Sequence, residues 1–373
     1  MKKTMLVWLL LAVTGGFCYL LQLIYGAGIT NMHNFLPWGL YIAGFMIFTG
    51  IAAGSLLLAG SAWLVDELAP FRPLGKIMTF AGVFGGLAGA GLFIMVDMGN
   101  PQRGIYMLLS PNLSSPQVWD AMILSLYGFV GSCFMYRLWQ FYQGKITAAK
   151  VKPVAGLAVI AGLMVVVTSF AFVLLVSSPG WNNPGEALSF LFAALIAAFA
   201  VQLLVLQHLR LVKYIELEQK VVSWLAGSMI VLLTLELLYI AVETAIGLYA
   251  PYGEEAAGVH WQLMGKGAPF YWLTILVIMA AIGSLGRSCW RWGSYLALLS
   301  VLLIKYNLLQ TEQLNPLLPY AGPSVYNPPA LGIYVPSLVE WGTAIGIAAA
   351  VCLMVAMAFI RYKKFFVVQG AWK

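Results

Sequence analysis

The sequence predicts an all-α, polytopic transmembrane helix bundle of about ten spans, with both termini on the same side of the bilayer. Three observations carry this. Of 373 residues, 62% are hydrophobic and 9% are charged, whereas a soluble domain carries about 25% charge. The apolar residues fall into stretches close to the twenty or so needed to cross the hydrocarbon core. When the chain is threaded through those stretches, Arg103, Lys266 and Lys305 fall on one side and the other seventeen of its 20 Lys and Arg on the opposite side. Loops rich in Lys and Arg stay cytoplasmic, so the charge-rich face and both termini are expected there. The net charge of +7 then reflects topology and anionic lipid, not a nucleic-acid partner.

Span one is read over 5–25. Its opening, MKKTMLVWLL, has the lysines and apolar core of a signal peptide. The apolar run is long and no small-x-small cleavage site follows, so a retained span is expected. Span two, 37–64, and span three, 77–97, carry glycines four apart: Gly50 and Gly54, Gly82 and Gly86, Gly85 and Gly89. Such ridges let helix backbones approach closely, which matters where lipid removes the hydrophobic drive between helices. The remaining spans are read at 117–140, 153–177, 187–209, 222–249, 269–286, 292–309 and 337–360. Spans two to five (37–177) and six to nine (187–309) could form two four-helix bundles. Span one (within 1–30) and span ten with its tail (337–373) would flank them, all in one membrane domain.

Cys18, Cys133, Cys289 and Cys352 all lie inside apolar runs and none belongs to a CxxC. That spacing argues against a disulfide framework, an iron–sulfur cluster or a c-type haem in this chain. A b-type haem would need two axial histidines on facing helices. His33 and His260 sit in loops and His208 is on the other side, so no haem and no metal are expected.

The outer ends of spans two, three and four collect the unusual polar groups. His33 and Asn34 precede span two, Asp97 ends span three with Arg103 just beyond, and Trp119 and Asp120 open span four. An ionisable group at such a depth is a functional candidate, because its burial is costly unless it is paired. An imidazole, two carboxylates and a guanidinium in an apolar wall suit a quinone. Its ring and tail want apolar contact, its oxygens want donors, and its redox change moves two protons that a His and a carboxylate can relay. The plain alternative is that Asp97 or Asp120 pairs with Arg103 and anchors the outer loop.

Two further features stand out. Glu236 lies mid-span in span seven with Glu243 seven residues on, two turns along one helix face and about 10 Å apart. They form either a proton path or hydrogen-bonded structural carboxyls. Lys305 and Glu340, at the outer ends of spans nine and ten, suggest an ion pair pinning those spans together.

At this point the residues resemble a known family. PWGLYIAGFMIFTGIAAGSLLLAG (37–60) resembles the opening of the polysulfide reductase membrane-subunit family, also called NrfD/PsrC. VDMGNPQRGIYMLLSPNLSSPQVWD (96–120) is similar to its second signature, and IKYNLL (304–309) with YVPSLVEWG (334–342) to its late one. The resemblance implies a quinone-binding anchor, taking menaquinone or ubiquinone, without haem or metal of its own. It implies an extracytoplasmic four-cluster iron–sulfur partner, often with a molybdopterin catalytic subunit or a multihaem cytochrome. It places the quinone site near the outer face of the first bundle and carries over His33 and Asp97. Ten spans resemble the family's long branch. Lys305 stands where members have arginine, so the positive charge survives but not the bidentate fork. Two rivals remain: a secondary transporter or ion channel, which the mid-membrane Glu236 permits, and a non-catalytic anchor.

Overall fold

The computed structural model describes residues 2–32, 36–170, 183, 185–249, 254–313 and 334–366. Ten helices in these residues are long and apolar enough to span a bilayer. They are α1 (Lys3–Tyr25), α2 (Leu40–Leu64), α3 (Asp66–Asp97), α4 (Pro116–Tyr142), α5 (Ala148–Thr168), α6 (Glu186–Leu211), α7 (Gln219–Tyr249), α8 (Ala268–Gly286), α9 (Trp290–Thr311) and α10 (Leu338–Arg361). The fold class is therefore as the composition predicts, and no strand occurs among the described residues. The expected outer end of span five, to 177, and the pair His33 and Asn34 lie outside the described residues.

Packing follows two closed circuits. α2 packs on α3 and α5, and α4 packs on α5 and on the inner part of α3. α6 packs on α7 and α9, and α8 packs on α7 and α9. α2 joins the circuits by lying against α6 and α9. Gln202 on α6 clamps the joint: its amide donates to Ser55 Oγ on α2 at 2.8 Å and to the Met78 carbonyl on α3 at 3.0 Å. α1 stands outside both circuits and packs on α10, where Gly15 abuts the backbone of Gly346.

Two of the three glycine pairs face one neighbouring helix as their spacing predicts. Gly85 and Gly89 do not, since Gly85 lies against Val351 and Val355 of α10 and Gly89 against Phe48 of α2. Gly82, Gly86 and Gly89 of α3 face Ser55, Ala52 and Phe48 of α2, and Gly50 and Gly54 of α2 face Ala194 and Ala198 of α6. A side chain at these points would meet neighbouring atoms at less than van der Waals distance, so close approach requires glycine. α3 is a composite: a 3₁₀ stretch (Asp66–Leu74), a short α turn (Gly75–Thr79), a π turn (Phe80–Phe84) and an α segment (Gly85–Asp97). The span thus begins earlier than the 77 read from hydropathy. Pro70 and Pro73 prevent a regular α start there, since proline has no N–H to give.

At the charge-rich end, Lys76 is buried against the Tyr142 and Phe365 rings and its ammonium donates to the Phe365 carbonyl. At the opposite end, Ser337 and Glu340 form a reciprocal capping box that starts α10.

Candidate functional site

A cavity of about 260 Å³ opens between the two circuits, towards the charge-poor end. Its walls come from α2 (Phe45, Met46, Thr49), α3 (Ile94, Asp97), α4 (Gln117, Asp120), α5 (Val165), α6 (Phe190) and α9 (Val301, Lys305). Met98 and Met107, beyond the end of α3, close its outer side. The wall is mainly apolar, with the polar groups few and convergent, as in small-molecule sites generally.

Two of the candidate residues meet there. Asp97 and Asp120 line the same cavity from different helices. Asp120 is buried and accepts a hydrogen bond from the Thr168 hydroxyl at 2.8 Å, so α5 holds it in place. Asp97 Oδ1 is buried with no hydrogen-bond partner among the described residues. Two further wall groups share that condition: Thr49 Oγ1 and Lys305 Nζ. A buried polar group left unmet costs free energy, so three of them around one hollow point to a polar ligand or water inside it.

Arg103 and Trp119 lie outside the cavity wall, which corrects their expected place in the pocket. Arg103 is exposed on a 3₁₀ turn, Pro101–Ile105. Trp119 is exposed, and its indole donates to the Leu113 carbonyl at 2.8 Å. Neighbouring helix positions point about 100° apart. Once Asp120 turns inward to meet Thr168, Trp119 must turn out.

The expected ion pair between Lys305 and Glu340 is not formed. Glu340 is satisfied by neutral donors: the Tyr334 hydroxyl, the Ser337 N–H at 2.8 Å and the Asn31 N–H at 3.0 Å. On α9 it is Tyr306 that turns to the segment leading into α10, donating to the Tyr334 carbonyl. Lys305, one position earlier, therefore points to α6. Its ammonium stands 3.5 Å from the centre of the Phe190 ring and feels the carboxylates of Glu186 and Glu236.

Those carboxylates belong to a ladder between α6 and α7. Ser189 donates to Glu236 Oε1 at 2.7 Å, Tyr239 donates to Glu186 Oε1 at 3.1 Å, and the Asn183 amide donates to Glu243. Glu236 and Glu243 do share one face of α7, as their spacing predicts. Glu236 is 0% exposed and its second oxygen is unmet among the described residues. Lys305 and Phe190 belong both to this ladder's margin and to the cavity wall.

Sequence reasoning missed Glu186 and Thr49. The signal for Glu186 is a charge abutting the apolar run of α6, a position that hydropathy alone reads as loop. Nothing in the sequence marks Thr49, since a threonine inside a helix ordinarily returns its hydroxyl to its own backbone.

The fold and the cavity define a polytopic helix-bundle membrane protein with a mainly apolar cavity near one face. The chain belongs to the family described as "Polysulphide reductase, NrfD", whose model matches residues 28–316. It is 21% identical to a selenate reductase subunit of Mesobacillus selenatarsenatis, over 92% of this chain and 90% of that one. It is 25% identical to an Hdr-like menaquinol oxidoreductase integral membrane subunit of Archaeoglobus fulgidus, over 94% of this chain and 90% of that one. It is 35% identical to a putative dimethyl sulfoxide reductase membrane subunit of Halobacterium salinarum. That last match spans 35% of this chain and 29% of the relative, so it covers less than a third of that relative's length.

Proposed function

We propose that the chain is the quinone-reactive membrane subunit of a respiratory oxidoreductase complex, exchanging electrons between the (mena)quinone pool and an extracytoplasmic iron–sulfur partner. The observation that carries this is the apolar cavity whose wall residues Thr49, Asp97 and Lys305 each hold a buried polar atom without a hydrogen-bond partner among the described residues. The names of the three relatives, subunits of two reductases and of a menaquinol oxidoreductase, support the class. The electrons continue to a four-cluster iron–sulfur protein and from there to a molybdopterin enzyme or a multihaem cytochrome. The setting is the cytoplasmic membrane of a bacterium or archaeon, with both termini inside on the Lys and Arg distribution.

The residues fit such a ligand. Phe45, Met46, Val165 and Phe190 offer apolar contact to a ring. The Thr49 hydroxyl and the Lys305 ammonium offer donors to its oxygens, and Asp97 offers an acceptor. When bound, a quinone supplies two-electron, two-proton redox chemistry. Asp97 is the group placed to take or give a proton at Oδ1, with Asp120 held on the α4 wall of the same cavity by Thr168. His33, outside the described residues, remains a relay candidate on the resemblance alone. Lys305 offsets negative charge that develops in the cavity. The ladder of Glu186, Glu236, Tyr239 and Glu243 is chemically suited to carry protons away from Lys305, which would couple the redox step to translocation. A transporter reading is weaker, because transporters place their polar site near the bilayer midplane and this cavity lies towards one end.

The test is Asp97→Asn in the assembled complex. Quinol-linked turnover should fall by roughly 10²–10⁴-fold, the range of general acid–base catalysis. Activity of the partner subunits with an artificial dye donor should remain, as should assembly. Quinol-linked turnover equal to that of the native complex would overturn the assignment.

A further inference from the structure

α1 is exposed along most of its length. Two of its described residues are buried, Gly15 and Gln22. Gly15 lies against Gly346 of α10. Gln22 is the polar one, and an amide at this depth is costly unless both its ends are met. Both are. Nε2 donates to the Val96 carbonyl of α3 at 3.0 Å, and Oε1 accepts from the Tyr41 hydroxyl of α2 at 2.8 Å. Tyr41 is fully buried. It shares one apolar cluster with Phe93 and Val96 of α3 and with Ala344 and Ile347 of α10. Tyr41 therefore cannot move freely, and its hydroxyl fixes which way the Gln22 amide points.

The acceptor is what matters. The last four carbonyls of a helix have no partner within it. At the end of α3 the Ile94 carbonyl is met by the Met98 N–H at 3.2 Å, and Met98 itself is already extended, with ψ 120°. The Val96 carbonyl is thus left over, and Gln22 takes it. That carbonyl belongs to the planar peptide unit that ends at the Asp97 Cα. Beyond Asp97 the chain runs out to exposed residues, Gly99 and Asn100. Helix ends fray, and rotation of this last turn would carry the Asp97 carboxyl out of the cavity wall. A fastening role alone would be served by a carbonyl elsewhere on α2, α3 or α10. The one that Gln22 meets carries the acid of the cavity. Gln22 also lies outside the stretch that the family model matches, 28–316.

We propose that Gln22 is a positioning residue for Asp97: aligned by Tyr41, it holds the Val96–Asp97 peptide so that the Asp97 carboxyl stays turned into the cavity. This rests on the reading of Asp97 as the proton-carrying acid given above. α1 then serves the site without touching its ligand, since neither Gln22 nor Tyr41 lines the cavity. Loss of the grip slows the proton step and leaves binding intact, because the apolar wall, Thr49 and Lys305 are unchanged.

The test compares Gln22→Leu, Tyr41→Phe and the double variant in the whole complex in lipid vesicles, with menaquinol as donor and rates expressed per assembled complex. In Gln22→Leu, kcat should fall roughly tenfold, within the roughly hundredfold that a 1 Å misplacement costs. KM should stay within about twofold of native, as for a group that acts in the reaction step and not in binding. Tyr41→Phe should lower kcat roughly fivefold. The double variant should match Gln22→Leu within about twofold, because both changes break one chain of hydrogen bonds. A kcat within about twofold of native, a raised KM at native kcat, or single effects that multiply in the double variant would each overturn the assignment. If Gln22→Leu does not assemble, Tyr41→Phe, which removes one oxygen, decides by the same criterion. Failure of the quinone reading looks different: Asp97→Asn would then turn over menaquinol as the native complex does. A failed grip leaves Asp97→Asn slow and Gln22→Leu fast.

Discussion

Lys305 is the residue whose partner the sequence and the structure assign differently, and a double-mutant cycle separates the two. It is 2% exposed, has no hydrogen-bond acceptor among the described residues, and lies over the Phe190 ring with Glu186 and Glu236 as its charged neighbours. At an effective dielectric of about 20, a carboxylate roughly 5–8 Å away stabilises an ammonium by about 2–3 kcal/mol. Lys305→Met removes that attraction and leaves the carboxylates uncompensated, a class of change that costs about 3–5 kcal/mol. Glu186→Gln made in the same chain removes the reason for part of that cost. The pair should therefore be non-additive by about 1–3 kcal/mol. Lys305→Met with Glu340→Gln should be additive within about 0.5 kcal/mol, because Glu340 is bound by Tyr334, Ser337 and Asn31. The assay is reversible unfolding of the purified subunit in mixed micelles, followed by its tryptophan fluorescence. Coupling to Glu340 but not to Glu186 would refute the reasoning and restore the pair expected from the sequence.

Other outcomes are expected from the same packing. A Cβ at Gly86 would lie 2.8 Å from the Ala52 backbone nitrogen, whereas one at Gly91 meets nothing within 4 Å. Gly86→Ala should therefore cost about 1–3 kcal/mol through overpacking, and Gly91→Ala should be neutral or gain up to about 1 kcal/mol; equal midpoints in the micelle assay would contradict this. Tyr334→Phe removes the donor to Glu340 and the acceptor of the Leu40 N–H, 2.9 Å away. Leaving those groups unmet should cost about 1–3 kcal/mol, read as a lowered midpoint in the same assay. Burial first, and then the hydrogen bond to Glu340, push the Tyr334 phenol above its ordinary value. A raised folded value means that its contribution is fully present below the unfolded phenol's pH of about 10 and is lost only above it. The difference between native and Tyr334→Phe should accordingly be constant between neutral pH and about 9, and a difference that fades within that window would contradict the assignment.

By itself the sequence determined the number of spans, their approximate limits and the faces that approach closely. These are local properties: a run of apolar residues must cover a bilayer of given thickness, and glycines four apart must share a ridge whatever lies opposite. It also brought Asp97 and Asp120 to one place, since consecutive antiparallel spans put their ends together. Only the tertiary structure decided which side chains at those ends look inward. The rotation of each helix about its axis is set by packing against neighbours distant in sequence, and one residue of difference turns a side chain by about 100°. That is why Asp120 enters the cavity and Trp119 leaves it, and why Tyr306, not Lys305, turns to the segment leading into α10. It is also why Thr49 and Glu186 became visible only when α6 and α9 closed around them. The outer half of α3 packs on α2 and α10 for the same reason, a choice among partners that no local pattern records.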